Sequence, residues 1–208
     1  MANFIALDIA LIPSEKHYAT LEKWNKKLYQ NGDTGYLFSK NHLPHLTLFQ
    51  NFILADDLPK LLTDIDRVSL PEAIRELKSS ELISIPFKND FKICMLNFEN
   101  TDSLSSLQQQ YHQLLQKYSK QPTTEAGIKG FCGDCIPEAV SWVQKFSLNA
   151  SLNKFSPHIT LGFSKLDLAE TITPEEASYL WQFDSVKLAK MGNYCSLSGN
   201  IYWDRNFE

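Results

Sequence analysis

Two pentapeptides constrain this chain more than anything else in it: Pro44-His45-Leu46-Thr47-Leu48 and Pro157-His158-Ile159-Thr160-Leu161. They contain two of only five histidines and differ at a single aliphatic position. Successive side chains of a strand point to opposite faces, so His45 and Thr47 share one face while Leu46 and Leu48 take the other, and the second copy behaves alike. Each copy offers an imidazole and a hydroxyl together and anchors them with an aliphatic pair. Proline is tolerated at the first position of a strand, so each pentapeptide reads as the start of a short, half-buried strand.

Around these strands the chain runs twice through the same order. Phe4 to Leu11 predicts a strand, and Ser14 caps a helix to about Tyr29 with Tyr18, Leu21, Trp24 and Leu28 on one face, stopped at Asn31-Gly32. After the motif strand Leu46 to Phe52, a helix is expected from about Asp57 to Ile65, then a turn or two of helix within Pro71 to Leu77. Strands follow at Leu82 to Phe87 and Phe91 to Phe98 around the polar turn Lys88-Asn89-Asp90. The second round opens with Thr101-Asp102-Ser103 capping a helix to about Tyr118, buried through Leu104, Leu107, Tyr111, Leu114 and Leu115. It continues with the motif strand Ser156 to Phe163, a helix start at Thr173-Pro174-Glu175-Glu176, and strands near Val186 to Met191 and Leu197 to Trp203. The repeated order predicts a pseudo-duplicated, bilobal α+β fold forming one domain over residues 1–208, with halves of about 1–90 and 91–208, each half supplying one motif to a shared cleft.

The halves differ in one place. The second has extra chain at Ser119 to Leu152, with Cys132-Gly133-Asp134-Cys135 and a helix expected from Pro137 to Phe146. A structural elaboration is the simpler reading of this insertion, a lid or substrate-selective loop the other.

Composition narrows the chemistry. Charged residues make up 21% of the 208, with a net charge of −4, which argues against a protein that grips long nucleic acid by its phosphates. A nucleotide or an RNA end remains open as a substrate, without an extended nucleic-acid-binding face. The apolar opening from Met1 to Pro13 has no basic leader and is interrupted by Asp8, so it reads as a buried strand rather than a signal. No apolar run reaches the ~18 to 20 residues of a membrane helix. Four cysteines are few for a disulfide scaffold and point to a reducing cytoplasmic setting. With 43% hydrophobic residues the chain is expected to fold alone, as a monomer.

Two His-x-Thr strands in opposite halves, each preceded by Pro and each carrying an aliphatic residue after His and after Thr, resemble the two-histidine (2H) phosphoesterase superfamily. That superfamily includes 2′-5′ RNA ligase-like proteins and cyclic nucleotide phosphodiesterases. The resemblance implies two antiparallel sheets facing a central cleft with helices outside, His45 and His158 as catalytic histidines, and Thr47 and Thr160 as phosphate-holding hydroxyls. Some members carry Arg or Lys just after the Thr, where this chain has Leu48 and Leu161. Lys40 and Lys165 are then the nearest basic candidates for the substrate.

Opening a cyclic phosphodiester with water needs a base for the water and an acid for the departing sugar oxygen, and imidazole can serve as either. Two hydroxyls can donate to non-bridging phosphate oxygens. The expected activity is hydrolysis of a 2′,3′-cyclic phosphate or a 2′-5′ linkage of a nucleotide or RNA end, with no metal or other cofactor required. Which histidine is the base stays open. A 2′-5′ RNA ligase, or a module that binds RNA ends without turnover, are the alternatives.

Strand alternation puts Phe49 on the face of His45 and Thr47, where it either stacks on a base or serves as a core aromatic, with Gly162 at the matching place of the second motif and Phe163 in the core. His42 borders the cleft on this reading. Zinc is disfavoured because neither motif supplies a third ligand, and the Cys132-x-x-Cys135 pair is read as loop cysteines, its companions Cys94 and Cys195 being isolated in expected strands.

Overall fold

The computed structural model describes residues 2–30, 35–87, 90–165, 172 and 179–207. Seven strands are found among them: β1 (Phe4–Pro13), β2 (Leu46–Leu54), β3 (Glu76–Pro86), β4 (Lys92–Phe98), β5 (His158–Ser164), β6 (Leu180–Met191) and β7 (Leu197–Asn206). The helices are α1 (Glu15–Gln30), α2 (Leu58–Ile65), α3 (Asp102–Gln116), α4 (Thr124–Gly130) and α5 (Pro137–Asn149). The expected stop at Asn31-Gly32, the turn residues Lys88-Asn89 and the helix start at Thr173-Pro174 lie outside the described residues. No helix among the described residues is long and apolar enough to cross a membrane.

The α+β fold expected from the sequence is present, with two antiparallel halves joined at thin seams. Strands run in the order β1-β2-β5-β4-β3-β6-β7, and β1 also pairs with β6. A four-stranded portion, β2-β1-β6-β7, thus meets a three-stranded portion, β5-β4-β3. One seam is the single pair Leu46 with Ile159 between β2 and β5. The other is three pairs, Glu76 to Lys78 against Leu180 to Gln182. The halves of the chain exchange their last strands, since β3 pairs with β4 whereas β6 pairs with β1.

The helices form where their periodicity placed them. Leu21, Trp24 and Leu28 bury the inner stripe of α1, and Thr101 caps α3 by accepting from the Leu104 amide at 3.2 Å. Ser14 takes the first helical bond of α1 through its carbonyl, while its hydroxyl bonds the His17 ring at 3.1 Å. Three elements differ from expectation, one being β6, which starts at Leu180 rather than near Val186. The helical stretch at Pro71 to Leu77 is one 3-10 turn, Glu72–Ile74, and β3 starts six residues earlier than Leu82. Its exposed Glu76, Lys78 and Glu81 hide a strand that is held by two different neighbours. The short helix α4, capped by Thr123, was not legible.

A β-bulge follows each threonine. In β2, Thr47 pairs with Ala10 but Phe49 with Ile9, leaving Leu48 as the extra residue. In β5, Thr160 pairs with Met95 but Gly162 with Cys94, leaving Leu161 extra. A bulge reverses the alternation beyond it. Two buried side-chain amides from the opposite half hold the bulged carbonyls. Asn25 of α1 donates to Leu161 O at 2.8 Å and to Tyr36 O at 3.0 Å, while accepting from Phe38 N. Gln108 of α3 donates to Leu48 O at 3.3 Å and accepts from Leu152 N.

The second bulge depends on glycine. Gly162 has φ +143°, and a Cβ there would sit 3.3 Å from the Asn25 amide nitrogen. Gly162→Ala is expected to cost about 1 to 3 kcal/mol of stability, read as a lowered unfolding midpoint in denaturant. An unchanged midpoint would show that the bulge adapts to a side chain.

Candidate active site

Antiparallel pairing of Leu46 with Ile159 sets His45 across from Thr160 and Thr47 across from His158, all four on the face opposite the aliphatic pair. The aliphatic residues are fully buried and tie both motifs to the core, whereas the four polar side chains are only partly covered. The two pentapeptides thus interlock head to tail, each histidine beside the threonine of the other copy.

Both imidazoles are oriented in the same way. His45 Nδ1 lies 2.7 Å from Leu43 O, and His158 Nδ1 lies 2.8 Å from Ser156 O. A carbonyl only accepts, so Nδ1 carries a proton in each ring and Nε2 is left as the working nitrogen.

Their electrostatics differ because of Asp8. This carboxylate is fully buried in β1, accepts from Thr47 Oγ1 at 2.9 Å and from Gln50 Nε2 at 2.7 Å, and lies 3.5 Å from His45 Nε2. Its Oδ1 has no hydrogen-bond partner among the described residues. Burial works to lower the His45 pKa, but the Asp8 contact and charge, with the Leu43 carbonyl, leave it above the ordinary value near 6.5. His158 is held below that value by burial first; its Ser156 bond works against this, and the charge of His45 adds to the lowering. As the pH falls, His45 therefore takes up its second proton before His158 does.

The bulges decide what else reaches this face. Phe49 is not on it: the extra Leu48 turns Phe49 inward, where it is 1% exposed and packs edge-on against His112 and Phe146. Gln50, paired with Asp8, takes the place that unbroken alternation assigns to Phe49. The second bulge likewise turns Gly162 toward Asn25 and brings Phe163 onto the face of Thr160, buried between Phe87 and Tyr194. Phe163 is thus buried as expected, but on the opposite side. On the motif face, the matched positions that differ between the copies are Gln50 and Phe163 rather than Phe49 and Gly162.

His42 is half-buried, stacked on Tyr36 and bonded to Ser196 Oγ at 3.0 Å, in the segment leading to Leu43 and His45. Lys40 is exposed in the tight turn between Ser39 and His42. The Lys165 ammonium lies 5.0 Å from the centroid of Phe91. Neither lysine bonds a motif residue among the described residues. Cys94 is in β4, but Cys195 lies in the 3-10 turn Asn193–Cys195, not a strand. Burial pushes the Cys135 thiol up to about 11 and raises that of Cys195, which keeps both protonated. Among the described residues no three His, Cys, Asp or Glu side chains are grouped as a metal site.

Asp8 and Gln50 were missed as neighbours of the motif residues. Asp8 had a signal, a charge inside an otherwise apolar strand; Gln50 had none, because its face depends on the bulge.

Fold and site together define a pseudo-symmetric α+β protein with one histidine motif per half meeting at a seam. Among solved structures, TT0787 of Thermus thermophilus is similar, with a TM-score of 0.54 at 14% identity over 97% of both chains. Usb1 of Kluyveromyces marxianus (TM-score 0.40, 11% identity) and the same protein with uridine monophosphate (0.41, 8%) are more distant, each match covering 99% of this chain and 97% of that one. The likeness to TT0787 is one of fold alone, and the Usb1 matches are too slight to add to it. No sequence-family model matches the chain, and no curated protein does.

Proposed function

We propose that this protein is a phosphodiesterase of the 2H type that opens a 2′,3′-cyclic phosphate, or cleaves a 2′-5′ linkage, on a nucleotide or RNA end without a metal. The observation that carries the reading is the interlocked register, which sets His45 beside Thr160 and Thr47 beside His158 across one seam. In this reading His158 Nε2 takes a proton from water as the water oxygen bonds to phosphorus. The phosphorus–oxygen bond to the sugar breaks, and His45 passes its Nε2 proton to the departing oxygen. A phosphate monoester results, with the proton now on His158; exchange with solvent restores both rings. Thr160 donates to a non-bridging oxygen. Thr47 donates its hydroxyl hydrogen bond to Asp8 when no substrate is bound, and turns the hydroxyl to donate to the phosphate instead. Asp8 stabilises the His45 imidazolium at 3.5 Å, too long for a hydrogen bond that would lock the proton in place.

The test is turnover, in EDTA, of the four 2′,3′-cyclic nucleotides, oligoribonucleotides ending in a cyclic phosphate, and 2′-5′ oligoadenylates. Conversion of at least one class to a monoester is the expected result. A wild-type protein that is folded yet leaves all of them intact would sink the proposal.

A further inference from the structure

The extra chain of the second half lies on the motif face of the first. Phe131 and the α5 residues Ala139, Val140 and Val143 pack over Ala6, Phe52 and Met191, all on the side of the sheet that carries Asp8 and Thr47. At the margin of this cover stands Trp142, 43% exposed, between the buried Ala139, Val143 and Phe146 and the exposed Glu138 and Lys145 of the same helix.

An exposed tryptophan usually leaves its indole N–H in water, but that of Trp142 donates to Gln50 Oε1 at 3.2 Å. The amide of Gln50 in turn donates to Asp8, which contacts His45 and Thr47. Two hydrogen bonds therefore link the indole to Asp8, the carboxylate beside His45 and Thr47. Phe146 braces the same ring edge-on, with centroids 6.1 Å apart. Anchored at one edge and braced at another, the ring has a wet face held in a fixed place. The matched position of the second motif offers nothing comparable, since Phe163 is 8% exposed beneath Tyr194 and Phe87.

We propose that Trp142 is the platform on which the nucleobase of the substrate stacks, so that the inserted segment selects for phosphates borne by a nucleoside. The inference rests on the phosphodiesterase reading and deepens it. Stacking suits a protein of net charge −4, because it needs no cation and accepts any base. Purines, with the larger face, gain most.

Steady-state kinetics on the four 2′,3′-cyclic nucleotides and on methyl riboside 2′,3′-cyclic phosphate, which has no base, separate the readings. Trp142→Ala is expected to raise KM for the purine nucleotides by on the order of 10- to 100-fold, the range that base–aromatic stacking supplies. The abasic probe is expected to lose far less, and Trp142→Phe to retain most of the nucleotide preference. An equal loss on the abasic probe, or a Trp142→Phe variant as impaired as Trp142→Ala, would overturn the platform and leave Trp142 as a prop for Gln50. Quenching of tryptophan fluorescence by adenosine 2′- and 3′-monophosphates is read alongside. Should wild type turn over no probe, the phosphodiesterase reading fails; quenching lost in Trp142→Phe then still supports stacking, and quenching unchanged overturns it.

Discussion

Replacing either His45 or His158 with alanine is expected to reduce kcat/KM on a 2′,3′-cyclic nucleotide by ~10² to 10⁴, the usual worth of one positioned proton-transfer group. The double variant should fall little below the worse single one, because an acid without its base, or a base without its acid, leaves the same stalled step. Neither change is expected to unfold the protein. Both rings are partly exposed, and the buried Leu46 and Ile159 hold the seam without them. Independent, multiplicative losses would show that the two histidines do not act as a coupled acid–base unit. Thermal midpoints near that of wild type are the control, and exogenous imidazole offers a rescue of the alanine variants.

The second large effect is on pH dependence. With His158 below the ordinary imidazole value and His45 above it, activity should follow a bell. The acidic limb reports protonation of the His158 base, and the alkaline limb reports loss of the His45 proton. Asp8→Asn removes the charge that raises His45 while keeping the shape of the side chain. Burial then acts with less opposition and the His45 pKa falls. The alkaline limb is therefore expected to move to lower pH while the acidic limb stays nearly in place, narrowing the bell from one side. Near pH 8 the loss in kcat/KM should be on the order of 10-fold or more, and smaller near pH 6. A uniform loss at every pH would instead mark Asp8 as a packing residue, and an alkaline limb that does not move would take the acid role from His45.

Much of the frame could be read from local pattern. The stripe Leu21, Trp24 and Leu28, the Thr101 cap and the apolar opening strand each follow from 3.6-residue or two-residue periodicity, and each is found. Asp8 was visible as a charge in that strand, but nothing near it in sequence names Thr47, Gln50 and His45 as its partners, which lie some forty residues on. The start of β3 was lost because its first three residues pair with β6, about a hundred residues away.

What the sequence determined by itself is the pair of motifs: an imidazole and a hydroxyl on one face of each of two strands, with aliphatic residues to bury the other. Alternation is a property of the local backbone and holds from His45 to Thr47 and from His158 to Thr160. Past each threonine it fails, because α1 and α3 each present a buried amide that takes the carbonyl of one extra residue, Leu161 or Leu48. Only the tertiary structure could turn Phe49 inward, bring Gln50 to Asp8 and carry Trp142 of α5 to Gln50. A one-residue bulge exchanges the two faces of a strand, and the groups that hold each bulge come from the other half of the chain.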